Sequence, residues 1–402
     1  MKHILLYFLG ASTLAFGQTV EMLSLGAGYT NESYYSFANG EVANVDNYNW
    51  DLAFDLSSYG AAIRLNRKNA TLYVAPASAG TWATLDTNGM AAGWDQFING
   101  YDWWEEGALN RAATPGDDYD LGWGDYNTIT HQILGSRVFV LEFTGGTYKK
   151  FYVESLIGGV YTFKSADISG ANELLQTITK SNYPDRNFIY YAVQTNQIVD
   201  REPTNTNWDV VFTNYVLELG PGYFSGVTSG LHNYGVTVSE VSGVPSASAT
   251  YAGWDTTISV IGYDWKSFNM ATFQYEVPDS LTYFVQTASC DVWKMVFTAF
   301  EGSANGNIHF EQEQIEFAGL PTYEGANLIL FPNPAKDFIQ VNFTSELVRA
   351  QIMDMQGKVV LDAAANGVSS MTLETADLRD GVYFVQITDV QGRTATQKIM
   401  IH

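Results

Sequence analysis

Four aspartates, Asp117, Asp118, Asp120 and Asp125, lie within nine positions of one another, with Gly116, Gly122 and Gly124 beside and between them. Carboxylates are hard oxygen ligands, and glycine lets the backbone bend until several converge, which is what Ca²⁺ requires. The spacing departs from the EF-hand loop and no glutamate closes it, so a solvated acidic loop competes with the calcium reading. Trp104, Tyr119 and Trp123 share the segment. Apolar ring faces next to oxygen donors suit a sugar ring, a haem edge or a bound cation. His131 follows the segment, and Met270 stands in the second half of the chain.

Catalytic patterns are missing. The chain has no G-x-S-x-G elbow, no H-E-x-x-H and no phosphate loop. His309-Phe310-Glu311 lacks the second histidine of a zinc helix. Asp51, Asp95, Asp209 and Asp255 each follow a tryptophan, and their recurrence beside it predicts a structural role. No enzyme is expected.

The elements that position these residues come in two copies. Tyr34-Tyr35 recurs as Tyr190-Tyr191, and NWDLAF from Asn49 recurs as NWDVVF from Asn207. AGWD from Ala92 recurs from Ala252, and GYDW from Gly100 recurs from Gly262. The offsets run 156, 158, 160 and 162, in chain order, which marks a duplication. Further on, FVLEF from Phe139 pairs with YFVQT from Tyr283 at offset 144, as Lys150 does with Lys294. The fall places an 18-residue insertion in the first copy between Trp103 and His131, the acidic segment itself. Long loops of this kind are usually functional. At offset 144 His131 faces Tyr275, and Met270 faces Tyr126.

Alternating apolar residues enriched in β-branched and aromatic types predict strands throughout. Residues 137–157 and 282–300 read as equivalent hairpins, with Cys290 at a turn. One helix is expected, over 171–180. The chain carries −23 formal charges with 20 Lys and Arg, which argues against nucleic acid and anionic membrane as partners. Cys290 is the sole cysteine, so no internal disulfide forms.

Met1-Lys2-His3, the apolar run Ile4–Leu9 and Ala15-Phe16-Gly17 predict a signal peptide over 1–17. The later sequence has no apolar stretch of membrane-spanning length. The expected order is then a first β-domain over 18–180, a second over 181–319, a linker over 320–326 and a C-terminal domain over 327–402.

Tyr-Tyr-x-Phe, Trp-Asp-x-x-Phe and a hairpin ending in a Lys-bearing strand, present in both copies, resemble the HmuY-like family of secreted haem-binding proteins. The resemblance implies an all-β fold of two twisted two-sheet domains, with haem held by His or Met, here His131 and Met270. It also departs from the family. The chain has two copies and no lipid-bearing cysteine near its start. The C-terminal stretch carries Phe331-Pro332-Asn333-Pro334, turns at Asp354-Met355-Gln356-Gly357 and Asp389-Val390-Gln391-Gly392, and Gly381-Val382-Tyr383. This resembles the type A sorting domain of type IX secretion, a small β-sandwich. It implies export by that machinery to the outer cell surface or the medium. The function expected is non-enzymatic binding: haem from the resemblance, or else a glycan or protein bound through exposed aromatics such as Trp103, Trp104 and Trp123.

Overall fold

The computed structural model describes residues 18–100, 106–251, 253–289, 291–315, 328–354, 357–390 and 394–401. The expected signal peptide, Trp103, Trp104, Cys290 and the expected linker lie outside the described residues. The chain is nearly all β, as the alternation predicts, and divides into two compact units. One holds both repeats and the other the C-terminal domain.

Within the first unit the repeats build two lobes with the same strand order. Lobe one has a four-stranded sheet, Gln197–Val199, Phe188–Ala192, Leu52–Asp55, Ile63–Leu65. Lobe two has its counterpart, Gly40–Asp46, Asn31–Ser36, Val210–Gly220, Tyr223–His232. Each packs on a larger sheet. In lobe one that sheet runs Leu174–Thr179, Val160–Asp167, Thr147–Ile157, Phe139–Phe143, Ala70–Val74. In lobe two it runs Thr19–Ser24, Asn307–Gln314, Val292–Phe300, Leu281–Gln286, Thr237–Ser242.

The lobes do not coincide with the repeats. Each repeat gives its first strands to the other repeat's later ones. Tyr191 of the second copy faces Leu52 of the first, and Tyr35 of the first faces Val210 of the second. Thr19–Ser24 likewise runs along Asn307–Gln314 for its whole length. Lobe one is therefore residues 47–200, and lobe two is residues 201–315 closed by residues 18–46. The division expected at 180/181 falls inside lobe one, between strands that share its sheets. The expected helix over 171–180 is also replaced, because Leu174–Thr179 pairs with Val160–Ser165 as an edge strand.

Neighbouring strand residues point to opposite faces, and the paired tyrosines use both. Tyr35 and Tyr191 enter the cores of lobes two and one, while Tyr34 and Tyr190 face the other lobe. At that seam Trp208 meets Tyr34 edge-on at 5.0 Å, and Trp50 meets Tyr190 at 5.0 Å. The aspartate after each tryptophan fixes the crossing. Asp51 accepts from the Val193 N–H at 2.7 Å, and Asp209 from the Phe37 N–H at 2.8 Å. Asn66 and Asn233 donate to the Trp50 and Trp208 carbonyls at 3.1 and 2.8 Å. The repeated Trp-Asp pairs at the seam are scaffold.

The C-terminal unit has its own core of Leu330, Ile339, Val341, Ile352, Val385, Ile387 and Ile399. The long strand Phe338–Met353 is its axis, pairing along its two halves with Leu328–Phe331 and Gly381–Asp389, and with Val359–Glu374 throughout. Gly357, at φ 79°, turns the first hairpin, where Asp354 accepts from the Lys358 N–H at 2.9 Å.

Candidate functional site

The acidic insertion first repairs a sheet edge. Ile63–Leu65 is a short outer strand, and its backbone groups need partners. Asn110 Oδ1 accepts from the Ile63 N–H at 2.8 Å, Asn99 Oδ1 from the Leu65 N–H at 2.9 Å, and Leu109 N–H donates to the Ile63 carbonyl. Ala108, Leu109 and Trp123 drop into the lobe-one core, and the Trp123 indole N–H donates to the Ala61 carbonyl at 2.9 Å. Gly122, at φ 83°, permits this, since a Cβ there would meet the Leu109 and Asn110 carbonyls at 2.4 Å. Trp123 is thus a core residue and presents no face to a ligand. Tyr119 is 55% exposed.

The four aspartates do not converge on a cation. Asp120 is buried, bound twice by the Arg137 guanidinium at 2.7 and 2.5 Å and by the N–H groups of Thr114 and Gly122. Burial alone would raise its pKa, but Arg137 and the two amides outweigh it and hold the carboxyl well below its usual range. Asp117 accepts from the Tyr119 N–H at 3.0 Å, and Asp118 is exposed. Among the described residues no group of three or more His, Cys, Asp and Glu is placed to hold a metal.

The two haem ligands of the sequence reading are also not brought together. His131 sits at φ 54° in the turn between Gly124–Asn127 and Gln132–Gly135, exposed, its Nδ1 2.7 Å from the Tyr126 hydroxyl. Met270, 73% exposed, lies in the matching turn of lobe two, between Ser267–Asn269 and Gln274–Glu276. The turns are built alike. The His131 N–H donates to the Asn127 carbonyl, and the Phe273 N–H to the Asn269 carbonyl, both at 2.8 Å. His131 therefore corresponds to Phe273 and Met270 to Thr128. The alignment drawn from the sequence is two residues out here, because lobe two recovers two residues before Leu281–Gln286.

What the insertion does create is a cleft of about 940 Å³ on lobe one. Asp117, Asp120 and Asp125 form one wall with Arg137, Thr114 and Ala112. The loop from Ala75 to Trp82 lines the cleft too, together with Phe97, Asp95, Tyr152 and Lys164. Trp82 and Tyr152 stand 6.4 Å apart at 49°. Lys150 and Lys164 lie over the Trp82 ring at 4.6 and 5.1 Å, and the indole N–H donates to Glu173 at 2.8 Å. Lys150 is buried and donates to the Trp82 carbonyl at 2.6 Å, which fastens the aromatic loop to the sheet. Sequence reasoning marked the acidic wall and missed the aromatic one. The available signal was a tryptophan in a Gly, Ser and Thr loop, Gly80-Thr81-Trp82, where packing alone does not call for it.

A second cavity lies in the seam, about 30 Å³, lined by Tyr34, Trp50, Arg64, Tyr190, Glu202 and Trp208 among others. That volume takes a water or two and no larger ligand. Glu32 and Arg201 form a buried ion pair there, and Glu202 accepts from the Asn187 and Phe188 N–H groups, each at 3.0 Å.

Residues 329–402 match the family described as the secretion system C-terminal sorting domain. The chain is thus a substrate of type IX secretion, delivered to the cell surface or the extracellular space. No described helix is long and apolar enough to cross a membrane. No curated protein matches the chain. Among solved structures, the crystal structure of dimeric latent PorU from Porphyromonas gingivalis is similar at 10% identity, over 63% of this chain and 31% of that one, with a TM-score of 0.18. That score carries no argument about fold or function. The haem-carrier resemblance of the repeats has no counterpart among these matches.

Proposed function

We propose that the protein is a non-enzymatic surface or secreted binding protein, and that its ligand is a carbohydrate held in the lobe-one cleft. The observation that carries this reading is that two half-buried aromatic rings, Trp82 and Tyr152, and the carboxylates of Asp117, Asp120 and Asp125 line one cleft of about 940 Å³. Ligand sites span roughly 300–1,000 Å³ and combine apolar faces for affinity with a few polar groups for orientation. Sugars have both an apolar ring face and a rim of hydroxyls. The Arg137–Asp120 pair keeps the acidic wall rigid, so little ordering cost falls on binding. Haem is less well served, because His131 and Met270 stand on separate hairpins of separate lobes.

Titration of the chain from Gln18 with a glycan panel tests the reading. Binding of at least one glycan class is expected, with Trp82→Ala weakening it at least tenfold, about 1.4 kcal/mol. Asp125→Asn is expected to weaken it less, and Trp254→Ala in lobe two to leave it unchanged. Absence of binding across the panel, or equal losses from Trp82→Ala and Trp254→Ala, would refute it. A Soret shift on adding haem would favour the other ligand.

A further inference from the structure

Lobe one is one continuous stretch of chain, while lobe two is assembled from two stretches far apart in sequence. Thr19–Ser24 supplies the outer strand of its larger sheet, six residues in register with Asn307–Gln312. Asn31–Ser36 enters the middle of its smaller sheet, against Val210–Phe212 on one side and Gly40–Asp46 on the other. Leu23, Leu25, Tyr35 and Phe37 fill the lobe-two core beside Phe212, Phe297 and Phe310. Tyr35 contacts Phe310 edge-on at 5.2 Å. The only covalent tie between this segment and the rest is the short passage from Asn47 to Trp50, in which Tyr48 and Asn49 are exposed.

We propose that residues 18–46 are a donor segment, filling in cis a groove on lobe two that accepts the same segment from a second copy of this chain. Outside the segment itself, its strand ladders and its lobe-two core contacts are made with residues 201–315, while Tyr34 and Tyr29 also meet Tyr190 and Lys68 of lobe one. Those contacts are identical whichever molecule supplies the segment. The choice between cis and trans then rests on effective concentration and on strain in the passage at 47–50. In the intact chain the tether keeps the segment at home. Shortening the passage, or cutting it, shifts the balance to exchange.

The test uses the chain from Gln18 with a specific protease site inserted between Tyr48 and Asn49. After cleavage, the native segment is expected to stay bound in size-exclusion chromatography. A fluorescein-labelled synthetic peptide of residues 18–46 is expected to replace it at one label per chain, and a scrambled peptide is not. Release of the segment with lobe two still folded by amide exchange would overturn the proposal. So would loss of lobe-two protection that the peptide fails to restore. A second, uncut variant lacking Tyr48 and Asn49 is expected to form a dimer of doubled mass by light scattering. A folded monomer from that variant would overturn the exchange in trans.

Discussion

Lobes one and two descend from one repeat and keep its strand order, its Trp-Asp crossings and its alternating tyrosines, yet they solve two problems differently. The first is the outer edge of the small sheet. Lobe two answers it with a long hairpin, Val210–Gly220 against Tyr223–His232. Lobe one has only Ile63–Leu65 there and covers it with the insertion. The second is closure. Lobe one closes with the chain that directly follows it, and lobe two closes with residues 18–46. Scaffold positions are shared because a change there must satisfy both the core and the seam. The cover lies on lobe one, while the closing segment pairs its strands with lobe two and meets lobe one through Tyr34 and Tyr29, and the cleft grew where the cover was added.

The largest expected effect breaks this comparison at its closure. Deleting residues 18–46 removes Leu23, Leu25, Tyr35 and Phe37 from the lobe-two core, at about 1.5–3 kcal/mol each and so roughly 6–12 kcal/mol together. Hydrogen exchange is expected to show lobe two deprotected and the lobe-one strands Phe139–Phe143 and Val160–Asp167 still protected. Equal loss in both lobes would mean that the seam, and not the closing segment, holds the fold.

The next effect tests equivalence. Trp50 and Trp208 are each 4% exposed and each cross a tyrosine of the other repeat at 5.0 Å. Truncation of either to alanine is expected to cost about 3–5 kcal/mol, and the two values to agree within about 1 kcal/mol by chemical denaturation. A large difference would mean that the pseudo-symmetry is geometric and not energetic.

Much of the fold is legible in the sequence, and the parts that are not share a cause. Duplication, strand content and the C-terminal domain follow from local pattern, because alternation and turn residues act over a few positions. The assignment of strands to lobes does not. Tyr34-Tyr35 and Tyr190-Tyr191 read alike whether each pair stays within its own repeat or crosses to the other, and only the long-range register decides. Trp123 misled for a similar reason. A tryptophan in an acidic, Gly-rich loop reads as exposed until Gly107 is seen to let that loop lie on Ile63 and Gly122 to let it fold back on Leu109 and Asn110. The cleft was half legible, since its acidic wall is contiguous in sequence while Trp82, Phe97 and Tyr152 come from three separate segments.

A smaller effect separates the lobes by charge. Glu202 and Asp46 stand at equivalent places in the two repeats, Glu202 buried in the seam and Asp46 exposed. Burial pushes the Glu202 carboxyl up to about 7 from its ordinary 4.5, against the pull of two backbone amides and Arg64. The folded chain thus keeps a proton that the unfolded chain has already lost between those values. The stability this contributes is full below about 4.5 and disappears as pH rises through 7. Glu202→Gln is expected to match the parent near pH 4.5 and to exceed it by roughly 2–4 kcal/mol at pH 8, read from denaturation midpoints across pH.

The smallest expected effect sharpens the comparison at the centre of the seam, where the two lobes come closest to interchangeable. The Tyr34 and Tyr190 hydroxyls meet at 3.3 Å, one from each repeat, and both rings are buried. Their surroundings are not equal. Tyr34 also donates to Glu32 at 3.1 Å, and Glu32 is held by Arg201 and by the Thr213 hydroxyl. With Tyr34 donating to Glu32, the shared hydroxyl contact runs from Tyr190 as donor to Tyr34 as acceptor. Tyr190→Phe then removes one bond and leaves Tyr34 still satisfied by Glu32, which predicts a loss of about 1 kcal/mol. Tyr34→Phe removes two bonds and strands the Tyr190 hydroxyl in the seam, which predicts about 2–3 kcal/mol. The double variant is expected to cost no more than Tyr34→Phe alone, because the stranded hydroxyl is gone. A double-mutant cycle on unfolding free energies checks the order. Equal single costs would show the polar network to be as symmetric as the scaffold around it, and the two repeats to be equivalent at their contact.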